Sequence, residues 1–450
     1  MKYPSVEIIS DCFIKPKFFS EEAKNPTYLS PWDLAMMSTH YIQKGLLYPL
    51  PESKDFSITT FLDDLKDSLS ATLTHFHPLA ARLATIKLQN PTSFAVFINP
   101  DNSPGTRFIH SSVNLTVADI LTPKDVPSIV HSFFDHHKAI SHDGHKLPLL
   151  SVQVTELIDG IFIACSANHM VVDGSSFWHF FNSWSEVFRS KREHDLLDHI
   201  SRPPALQRWV PEGCHKMITL PFTSEDQFID RPKRSLLRER IFHFSTGALS
   251  KLKAKMNYEC NTTKISTLQA LCAIVWRCVT RARRIPREQE TGCRMAADNR
   301  KRLSPPLPET YFGNSLHSVR AIATAGQLQD HSIGWAAWQL HQAVVNHNDK
   351  VIREFIDSWL RNPFVYIVSR FFDPNCIHIG SSPRFDMYGN KFGLGEGLAV
   401  LSGYANKFDG KVTVYPGREG GGSIDLEICL MPDNMQALES DEEFMSVVTC

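Results

Sequence analysis

One strand–turn–helix segment constrains the fold of this chain more than any other feature. Ile161–Ala167 is a short apolar run rich in β-branched and aromatic residues, and the preceding Asp159-Gly160 is typical of a tight turn. This pattern predicts a buried strand. Beyond it, apolar side chains recur at helical spacing, at Phe177, Phe180, Phe181, Trp184, Val187 and Phe188. Ser175 or Ser176 is predicted to cap this helix.

A histidine and an aspartate stand in the predicted turn, at His169 and Asp173. A histidine four residues before Asp-Gly, at the end of an apolar strand, is typical of acyl-transfer sites. The same spacing recurs in two other places, at His131/Asp135 and His194/Asp198. One of these lies in a helix-like segment and the other in a charged stretch, so both are interpreted as ordinary surface. The functional histidine is therefore expected at 169.

The length and composition bound the class of protein. A chain of 450 residues is long for a single core and fits two domains of about 200 residues each. Hydrophobic residues make up 42% of the chain and charged residues 21%, as in globular proteins. The formal net charge of −1 gives no general attraction to nucleic acid or to an anionic membrane surface, so neither is expected as a partner.

Cysteine usage and the start of the chain indicate a cellular compartment. The ten cysteines include no Cys-x-x-Cys pair, and several lie inside apolar patterns, which is typical of reduced packing residues. The first residues show no basic segment followed by an apolar core, and no run approaches the roughly 18 apolar residues of a membrane-spanning helix. We therefore expect a cytoplasmic protein with no membrane partner.

Charge and proline content divide the chain into two comparable halves. Residues 189–220 are charged and proline-bearing, and they are predicted to be a crossover linker between an N-terminal domain, 1–188, and a C-terminal domain, 221–450. Helix-like and strand-like segments are mixed in both halves without an internal repeat. The predicted fold class is therefore α/β or α+β.

Local signals also place smaller elements. The run Ser30-Pro31-Trp32-Asp33 combines a cap, a proline and an acid in the order that begins a helix. A second helix is predicted to begin at Ser266, since apolar residues follow it at helical spacing. Near the end of the chain, Leu398–Tyr404 and Val412–Tyr415 are predicted to pair as a hairpin about Asp409-Gly410.

Several further motifs follow one another along the chain. They are Leu29-Ser30-Pro31-Trp32-Asp33-Leu34, Phe76-His77-Pro78-Leu79-Ala80-Ala81-Arg82-Leu83, His169 to Gly174, Asp298-Asn299-Arg300-Lys301-Arg302 and Tyr311-Phe312-Gly313-Asn314. With these motifs the whole chain resembles the plant BAHD acyltransferases, which transfer acyl groups from coenzyme A thioesters. The resemblance implies two chloramphenicol-acetyltransferase-like domains, each a mixed β-sheet with covering helices. It also implies a monomer with a solvent channel between the domains.

Two features refine this resemblance. The runs Cys12–Pro16 and Tyr404–Val412 resemble a poorly characterised, acetyltransferase-like subgroup, which also contains a lyase of salicylate biosynthesis that lacks the motif histidine. The family's Asp-Phe-Gly-Trp-Gly motif reads Lys-Phe-Gly-Leu-Gly at 391–395. In the family the tryptophan-bearing loop borders the acceptor channel. With Leu394 in its place, the resemblance implies a wider channel and a bulky, hydrophobic acceptor.

The chemistry of acyl transfer assigns roles to the motif residues. A thioester is already a good electrophile, so the enzyme needs chiefly a base for the acceptor, donors for the oxyanion and correct positioning. His169 is the natural base, because a reference pKa of about 6.5 leaves much of it neutral at pH 7. Asp173 could orient the imidazole as in hydrolase triads, but the resemblance implies a structural ion pair with Arg300. Gly174 supports the turn by adopting positive φ or by letting another segment approach closely.

The resemblance also supplies the binding residues. It places acyl-CoA at the domain interface, near Lys264 and Ser266 at a helix start, where backbone N–H groups favour phosphate. The acceptor side would be lined by four residues, Ser38, His40, Ser382 and Leu394. No spacing of histidines, cysteines and carboxylates completes a metal site. We therefore expect no metal and no cofactor, with acyl-CoA as co-substrate.

The sequence thus predicts an acyl-CoA-dependent O-acyltransferase that acts on a hydroxyl of a plant specialised metabolite, such as a naphthoquinone alcohol of the shikonin or alkannin type. Transfer to an amine is the alternative within this class. A CoA-independent lyase and a binding protein on a decayed scaffold are the alternatives outside it. The intact His169 counts against the lyase, and the altered motif at 391–395 is the only support for the binding protein.

Overall fold

The computed structural model describes residues 3–194, 200–231, 236–371 and 373–449. The strands are β1 Glu7–Ile14, β2 Thr27–Tyr28, β3 Ile42–Pro49, β4 Arg82–Leu88, β5 Ser93–Asn99, β6 Thr106–Ser112, β7 Leu150–Glu156, β8 Gly160–Ala167, β9 Arg238–Phe244, β10 Glu290–Asp298, β11 Leu316–Thr324, β12 Cys376–Ser381, β13 Ala399–Ser402, β14 Lys411–Pro416 and β15 Ile424–Leu430. The α-helices are α1 Pro31–Ala35, α2 Ile58–His75, α3 Val117–Leu121, α4 Gly174–His194, α5 Thr246–Glu259, α6 Thr267–Ala282, α7 Ala325–Asp330, α8 Ile333–Asn346, α9 Asp349–Arg361, α10 Val368–Phe371, α11 Pro432–Glu439 and α12 Glu442–Met445.

Two six-stranded sheets organise the two halves of the chain. The first has the order β1-β6-β7-β8-β3-β13 and the second the order β11-β10-β12-β14-β15-β9, while β2, β5 and β4 form a small third sheet. Both large sheets are mixed, because β6 and β7 run parallel in the first, as do β10, β12 and β14 in the second. Helices α2 and α4 pack on the first sheet, and α5, α6 and α8 pack on the second. The predicted mixed α/β class is confirmed.

One strand from the second half lies in the first sheet. Strand β13 pairs antiparallel with β3, with Ser402 opposite Lys44, whereas β14 pairs with β12 and β15. The predicted hairpin between 398–404 and 412–415 is therefore wrong. Without β13, strand β3 would be the edge of the first sheet, so pairing there satisfies backbone groups that a hairpin would leave exposed. The division of the chain at 189–220 stays a prediction, and α4 extends into that segment.

The chain between β13 and β14 passes from one sheet to the other, and a buried ionic network holds it there. Within this segment the Lys407 ammonium lies 2.5 Å from a carboxylate oxygen of Glu239 and 2.5 Å from one of Glu427. The hydroxyls of Ser402 and Tyr415 each donate to Glu427 at 2.6 Å. These bonds connect strands of both sheets, so the crossing fixes how the two halves meet.

The predictions for Ser30, Ser266 and the turn at Asp159 agree with the structure. Ser30 caps α1 through its hydroxyl, with Pro31 in the first turn and the Asp33 carboxylate returning the bond. Ser266 caps α6 in the same reciprocal way. Strands β7 and β8 pair across the turn at Asp159, and every residue of β8 is buried. In the described part of the chain the cysteines are free thiols, and no helix has the length and apolar character that a membrane span requires.

Candidate active site

Asn168 builds the turn that follows β8. Its side-chain amide donates to the carbonyl oxygen of Ser141 at 2.7 Å and accepts from the backbone N–H of Met170 at 3.0 Å. Its own carbonyl oxygen accepts from the N–H groups of Val171 and Val172. Asn168 is completely buried, so the turn is fixed from within before any partner outside it contributes.

His169 occupies the second position of this turn and is only partly buried. Its Nδ1 atom is enclosed and forms no hydrogen bond with the residues that the structure describes. Burial lowers the pKa of His169 below its ordinary value, and Lys411 of the second half adds to this lowering, while the residue's own carbonyl oxygen and Asp173 act against it. The imidazole is therefore biased towards its neutral form, which is the form that accepts a proton.

A residue from the second half of the chain donates a hydrogen bond to the backbone of His169. The side-chain amide of Asn314 donates to the His169 carbonyl oxygen at 2.7 Å and to Asp33 of α1 at 2.8 Å. Gly313 precedes it with φ 153°, and a Cβ there would lie 2.1 Å from a guanidinium nitrogen of Arg208. The side chain of Arg208 in turn donates to the carbonyl oxygen of Val171 at 2.9 Å. His169 is thus positioned by both halves of the molecule.

Asp173 ends the turn, and both of its carboxylate oxygens are fully bonded. Arg300 donates to Oδ2 at 2.8 Å and to Oδ1 at 3.0 Å, and the backbone N–H groups of Ser176 and Ser315 donate at 2.9 and 3.0 Å. Burial alone would raise the pKa of Asp173, but Arg300 and these N–H groups outweigh it and hold the pKa below its ordinary value. The carboxylate therefore stays ionised, and none of its hydrogen bonds goes to His169.

The cap of α4 differs from the prediction. The bond from the Ser176 N–H to Oδ1 makes Asp173 the capping residue, so the assignment to Ser175 or Ser176 is wrong. Ser176 instead accepts from the N–H of Gly313 at 2.9 Å and donates to its carbonyl oxygen at 3.0 Å. Gly174 needs no positive φ, but a Cβ at this position would lie 3.2 Å from the ring of Phe385. Close approach therefore explains this glycine.

Two of the predicted acceptor residues lie near the turn. His40 stands two residues before Ile42, which pairs with Ala167, two residues before His169. The start of β3 and the end of β8 lie side by side, so the two histidines lie at the same end of these strands. Ser382 follows β12 directly, and the loop that it begins brings Phe385 against the start of α4.

The other two predicted acceptor residues are engaged elsewhere. The buried Ser38 hydroxyl accepts from the N–H of Asp230 at 2.9 Å, which ties the segment before β9 to the first half. Leu394 is 5% exposed and belongs to the apolar core of the first half. Beside it, the Phe392 ring packs on the α4 residues Phe181, Trp184 and Phe188. These lie about 10 to 20 Å along the helix from the turn, and the place of Leu394 on an acceptor channel stays a prediction.

The predicted CoA residues are at the surface. Lys264 and Ser266 are both exposed. The Ser266 hydroxyl accepts from the N–H of Gln269 at 3.3 Å, and the Gln269 side chain accepts from the N–H of Ser266 at 2.8 Å. The first two N–H groups of the 16-residue helix α6 remain to face an anion there.

The other two pairs with the His-x-x-x-Asp spacing do not repeat the arrangement at His169, as far as the structure describes them. His131 is half-buried and bonds to Glu239 at 3.0 Å, while Asp135 pairs with Arg107 at 3.0 Å. The interpretation of this pair as ordinary surface is therefore wrong for its histidine, because the contact with Glu239 joins the two halves. The pair His194/Asp198 lies outside the described side chains.

One group of metal-ligand type occurs among the described residues, although the sequence predicts no metal site. Cys278, Asp441 and Glu443 hold their ligand atoms within 4.8 Å of one another. Arg281 donates to both carboxylates, at 2.7 and 2.9 Å. A guanidinium thus already balances their charge, and the cluster gives no reason to assign a cation.

Two independent matches place this geometry in a family. The Transferase family model matches residues 4–445. The chain is 32% identical to the BAHD acyltransferase DCR of Arabidopsis thaliana, over 98% of this chain and 92% of that protein. The chain belongs to the BAHD acyltransferases. It is also 35% identical to an uncharacterised acetyltransferase of Arabidopsis thaliana, over 98% of both chains.

Solved structures share the fold of this BAHD acyltransferase. Vinorine synthase superposes with a TM-score of 0.72 at 18% identity, covering 99% of this chain and 98% of that one. TRI101 of F. sporotrichioides, in complex with coenzyme A and T-2, superposes with a TM-score of 0.69 at 18% identity, covering 94% and 99%. The two-domain acyltransferase fold is confirmed, and the family match makes the chain an acyltransferase enzyme.

Proposed function

We propose that this enzyme transfers an acyl group from a coenzyme A thioester to a hydroxyl of a plant metabolite, with His169 as the general base. The observation that carries the proposal is the contrast within one turn. The Asp173 carboxylate is saturated by other donors, whereas the imidazole of His169 keeps part of its surface accessible and is biased towards neutrality. Such a group is poised to accept a proton.

Each step of the reaction has a role for the ring. The acceptor oxygen attacks the thioester carbonyl carbon while Nε2 of His169 takes the hydroxyl proton. The tetrahedral intermediate then collapses, the C–S bond breaks, and the imidazolium returns the proton to the departing thiolate of coenzyme A. No serine or cysteine nucleophile is needed, since the thioester is already activated.

Asn314 acts on His169 through its backbone and is a positioning residue. Asp173 and Arg300 fix the turn and the start of α4 without touching the imidazole. A base held by the backbone from both halves keeps its reacting nitrogen in place between the two substrates, and such positioning accounts for much of the rate of an enzyme.

Coenzyme A is the proposed source of the acyl group, and TRI101 of the same fold binds coenzyme A in its crystal structure. Lys264 and the N-terminus of α6 are the proposed phosphate contacts, because an exposed ammonium and free N–H groups both favour an anion. Lys264→Ala should therefore raise the KM for acyl-CoA and leave the KM for the acceptor unchanged. The proposal takes the enzyme to be a cytoplasmic monomer, as expected from the sequence.

A transfer assay tests the proposal. The purified chain is incubated with acetyl-, malonyl-, benzoyl- and coumaroyl-CoA and a fractionated plant extract, free thiol is followed, and acylated products are identified by mass. We expect thiol release that depends on an acceptor fraction and that His169→Ala abolishes. Release that persists in His169→Ala, or no acylated product with any donor, would contradict the proposal.

Acylation of an amine is the second candidate and uses the same base. The mass of the product does not separate the two, but mild alkaline hydrolysis does, since it cleaves an ester and spares an amide. A lyase without coenzyme A is disfavoured, because the related lyase lacks the motif histidine and this chain retains it at His169.

A further inference from the structure

Lys411 begins β14 and lies on the inner face of the second sheet. Cross-strand register places it beside His378 of β12, which lies beside Arg294 of β10. The next residue on each strand points to the opposite face and into the core under α5, α6 and α8; these are Val412, Ile379 and Met295. The row of Lys411, His378 and Arg294 therefore faces away from those helices. Tyr415 shares this face of β14, and its hydroxyl accepts a hydrogen bond from Lys44 of β3. The row therefore faces the first half of the molecule, and Lys411 is one of the charges that lower the pKa of His169 there.

The Lys411 ammonium has no protein partner in the described part of the chain. No hydrogen bond or ion pair joins it to another group, although its side chain is only partly exposed. A Cβ on Gly380 would lie 2.3 Å from Nζ of Lys411, so the ammonium rests directly over this glycine. On β10, two residues after Arg294, Ala296 points to the same face and is exposed. The ammonium thus borders open space between the halves.

The carboxylates around Lys411 are paired with another lysine. Lys44, Lys407 and Lys411 share their surroundings with the carboxylates Glu239 and Glu427. Both carboxylates are bound to Lys407. Lys44 donates to the Tyr415 hydroxyl at 3.0 Å. Neither carboxylate is therefore left to pair with Lys411, which forms no ion pair with a described residue.

Leaving a cation in this position has a measurable cost. Burial lowers the pKa of Lys411 to about 8. Burial, together with the positive charges of Lys407 and Lys411, lowers that of Lys44 to about 7. An enclosed charge without a counter-ion destabilises a fold. A bound anion would remove this penalty, so the site favours a ligand with a negative charge.

We propose that Lys411 binds a carboxylate of the acceptor, so that the substrate acylated at His169 is a hydroxy or amino acid. Lys44 on the first half and Arg294 on the second flank this position and add to its positive potential. Arg294 stacks on the ring of Phe371 at 4.8 Å and forms no hydrogen bond with the described residues. This subsite rests on the proposed function, because it assigns the acceptor side of the same reaction. It differs from the bulky, hydrophobic acceptor that the family resemblance implies with Leu394.

Binding of matched acids and esters tests the subsite without turnover. The probes are anthranilate, 4-hydroxybenzoate and shikimate, each beside its methyl ester, which keeps the nucleophile and removes the charge. Their dissociation constants for the full chain are measured by calorimetry. We expect at least one acid to bind about tenfold more tightly than its ester, as a charge-assisted hydrogen bond provides.

Three variants test whether the preference for the acid over its ester depends on Lys411. Lys411→Met keeps the aliphatic stem and should bring the acid and the ester to within about twofold of each other. Gly380→Ala keeps the charge but displaces the ammonium, so it should reduce the preference as well. Lys251→Met, on the exposed side of α5, is the matched control and should keep it. Lys411→Met should also melt no lower than the wild type, since it removes an unpaired charge.

The outcomes separate this subsite from its rivals. An acid that binds no better than its ester in any pair, or a preference that survives in Lys411→Met, overturns the proposal. Loss of CoA affinity in Lys411→Met, with acid binding unchanged, would assign the ammonium to a phosphate of the donor instead. Acid binding without any acyl transfer would leave the subsite standing and refute the proposed function. Transfer to neutral alcohols with no preference for acids would support the proposed function and refute the subsite.

Discussion

The two ends of the turn after β8 differ in how completely their polar groups are bonded. At one end, the Asp173 carboxylate accepts four hydrogen bonds, two of them from Arg300. At the other end, four residues earlier, the His169 ring receives no hydrogen bond from Asp173 or Arg300 and keeps part of its surface accessible. Saturated bonding stabilises a backbone, whereas a titratable ring with accessible surface remains available for a substrate.

The same contrast recurs between two lysines four residues apart. Lys407 is buried between Glu239 and Glu427 and holds the crossing between the sheets. Lys411 follows at the start of β14, forms no hydrogen bond or ion pair through its side chain with a described residue, and lies on the face that looks towards the first half. In both pairs the bonded member supports the architecture, and the unbonded member lies beside the space where substrates would meet.

The largest expected effect is on turnover by His169→Ala. A positioned base contributes about 10²–10⁴-fold to a rate, so kcat should fall by that factor. The melting temperature should stay close to that of the wild type, because the Asn314 bond goes to the backbone carbonyl of residue 169, which alanine keeps. A variant that turns over normally while binding acyl-CoA would show that another group removes the proton.

The next effect is on stability, at the bonded end of the turn. Asp173→Ala and Arg300→Ala each leave one enclosed charge without its partner, which costs about 3–5 kcal/mol of the free energy of unfolding. The double variant should lose clearly less than the sum of the two, and chemical denaturation of all three variants measures this. Additive losses would mean that the two groups do not act as a pair.

A smaller effect is expected on the pH profile. His169 must be neutral to act as a base, and its pKa is lowered, so the acid limb of kcat/KM should have its midpoint below the ordinary value of 6.5. Lys411→Met removes one of the lowering influences and should shift this limb upwards. In the window between the folded and unfolded pKa values the unfolded chain binds more protons. This histidine therefore destabilises the fold as the pH falls through that window.

A profile measured for wild type, Lys411→Met and the control Lys251→Met would check the shift. A limb centred above 6.5 in the wild type would contradict the assignment of burial as the dominant influence on His169.

Much of the framework near the site was predictable because its signals are local. Strand β8, the reciprocal caps at Ser30 and Ser266, and the Asp159 turn each depend on neighbours in sequence. The position of His169 at a strand end followed from the same reasoning. The partner of Asp173, 127 residues away, came from the family resemblance rather than from any local pattern.

The errors and omissions share one cause, which is contact between the two halves. The hairpin prediction failed because β13 pairs with β3, more than 350 residues away in the case of Ser402 and Lys44. Asn314 and Lys411 both stood in motifs that were visible in the sequence, but their roles depend on which groups face them across the interface. Nothing in the spacing of residues reports that a lysine lacks a partner.

The most direct test of the division between the two ends of the turn is the rate of Asp173→Asn, measured for a single turnover at a temperature where the variant is fully folded. The substitution keeps the shape of the side chain and removes its charge. If Asp173 only supports the turn, the variant should melt at a lower temperature but retain a rate within about tenfold of the wild type, far above His169→Ala. A loss of about 10⁴-fold, as in an enzyme whose aspartate orients its histidine, would contradict the account and make Asp173 a partner in the chemistry.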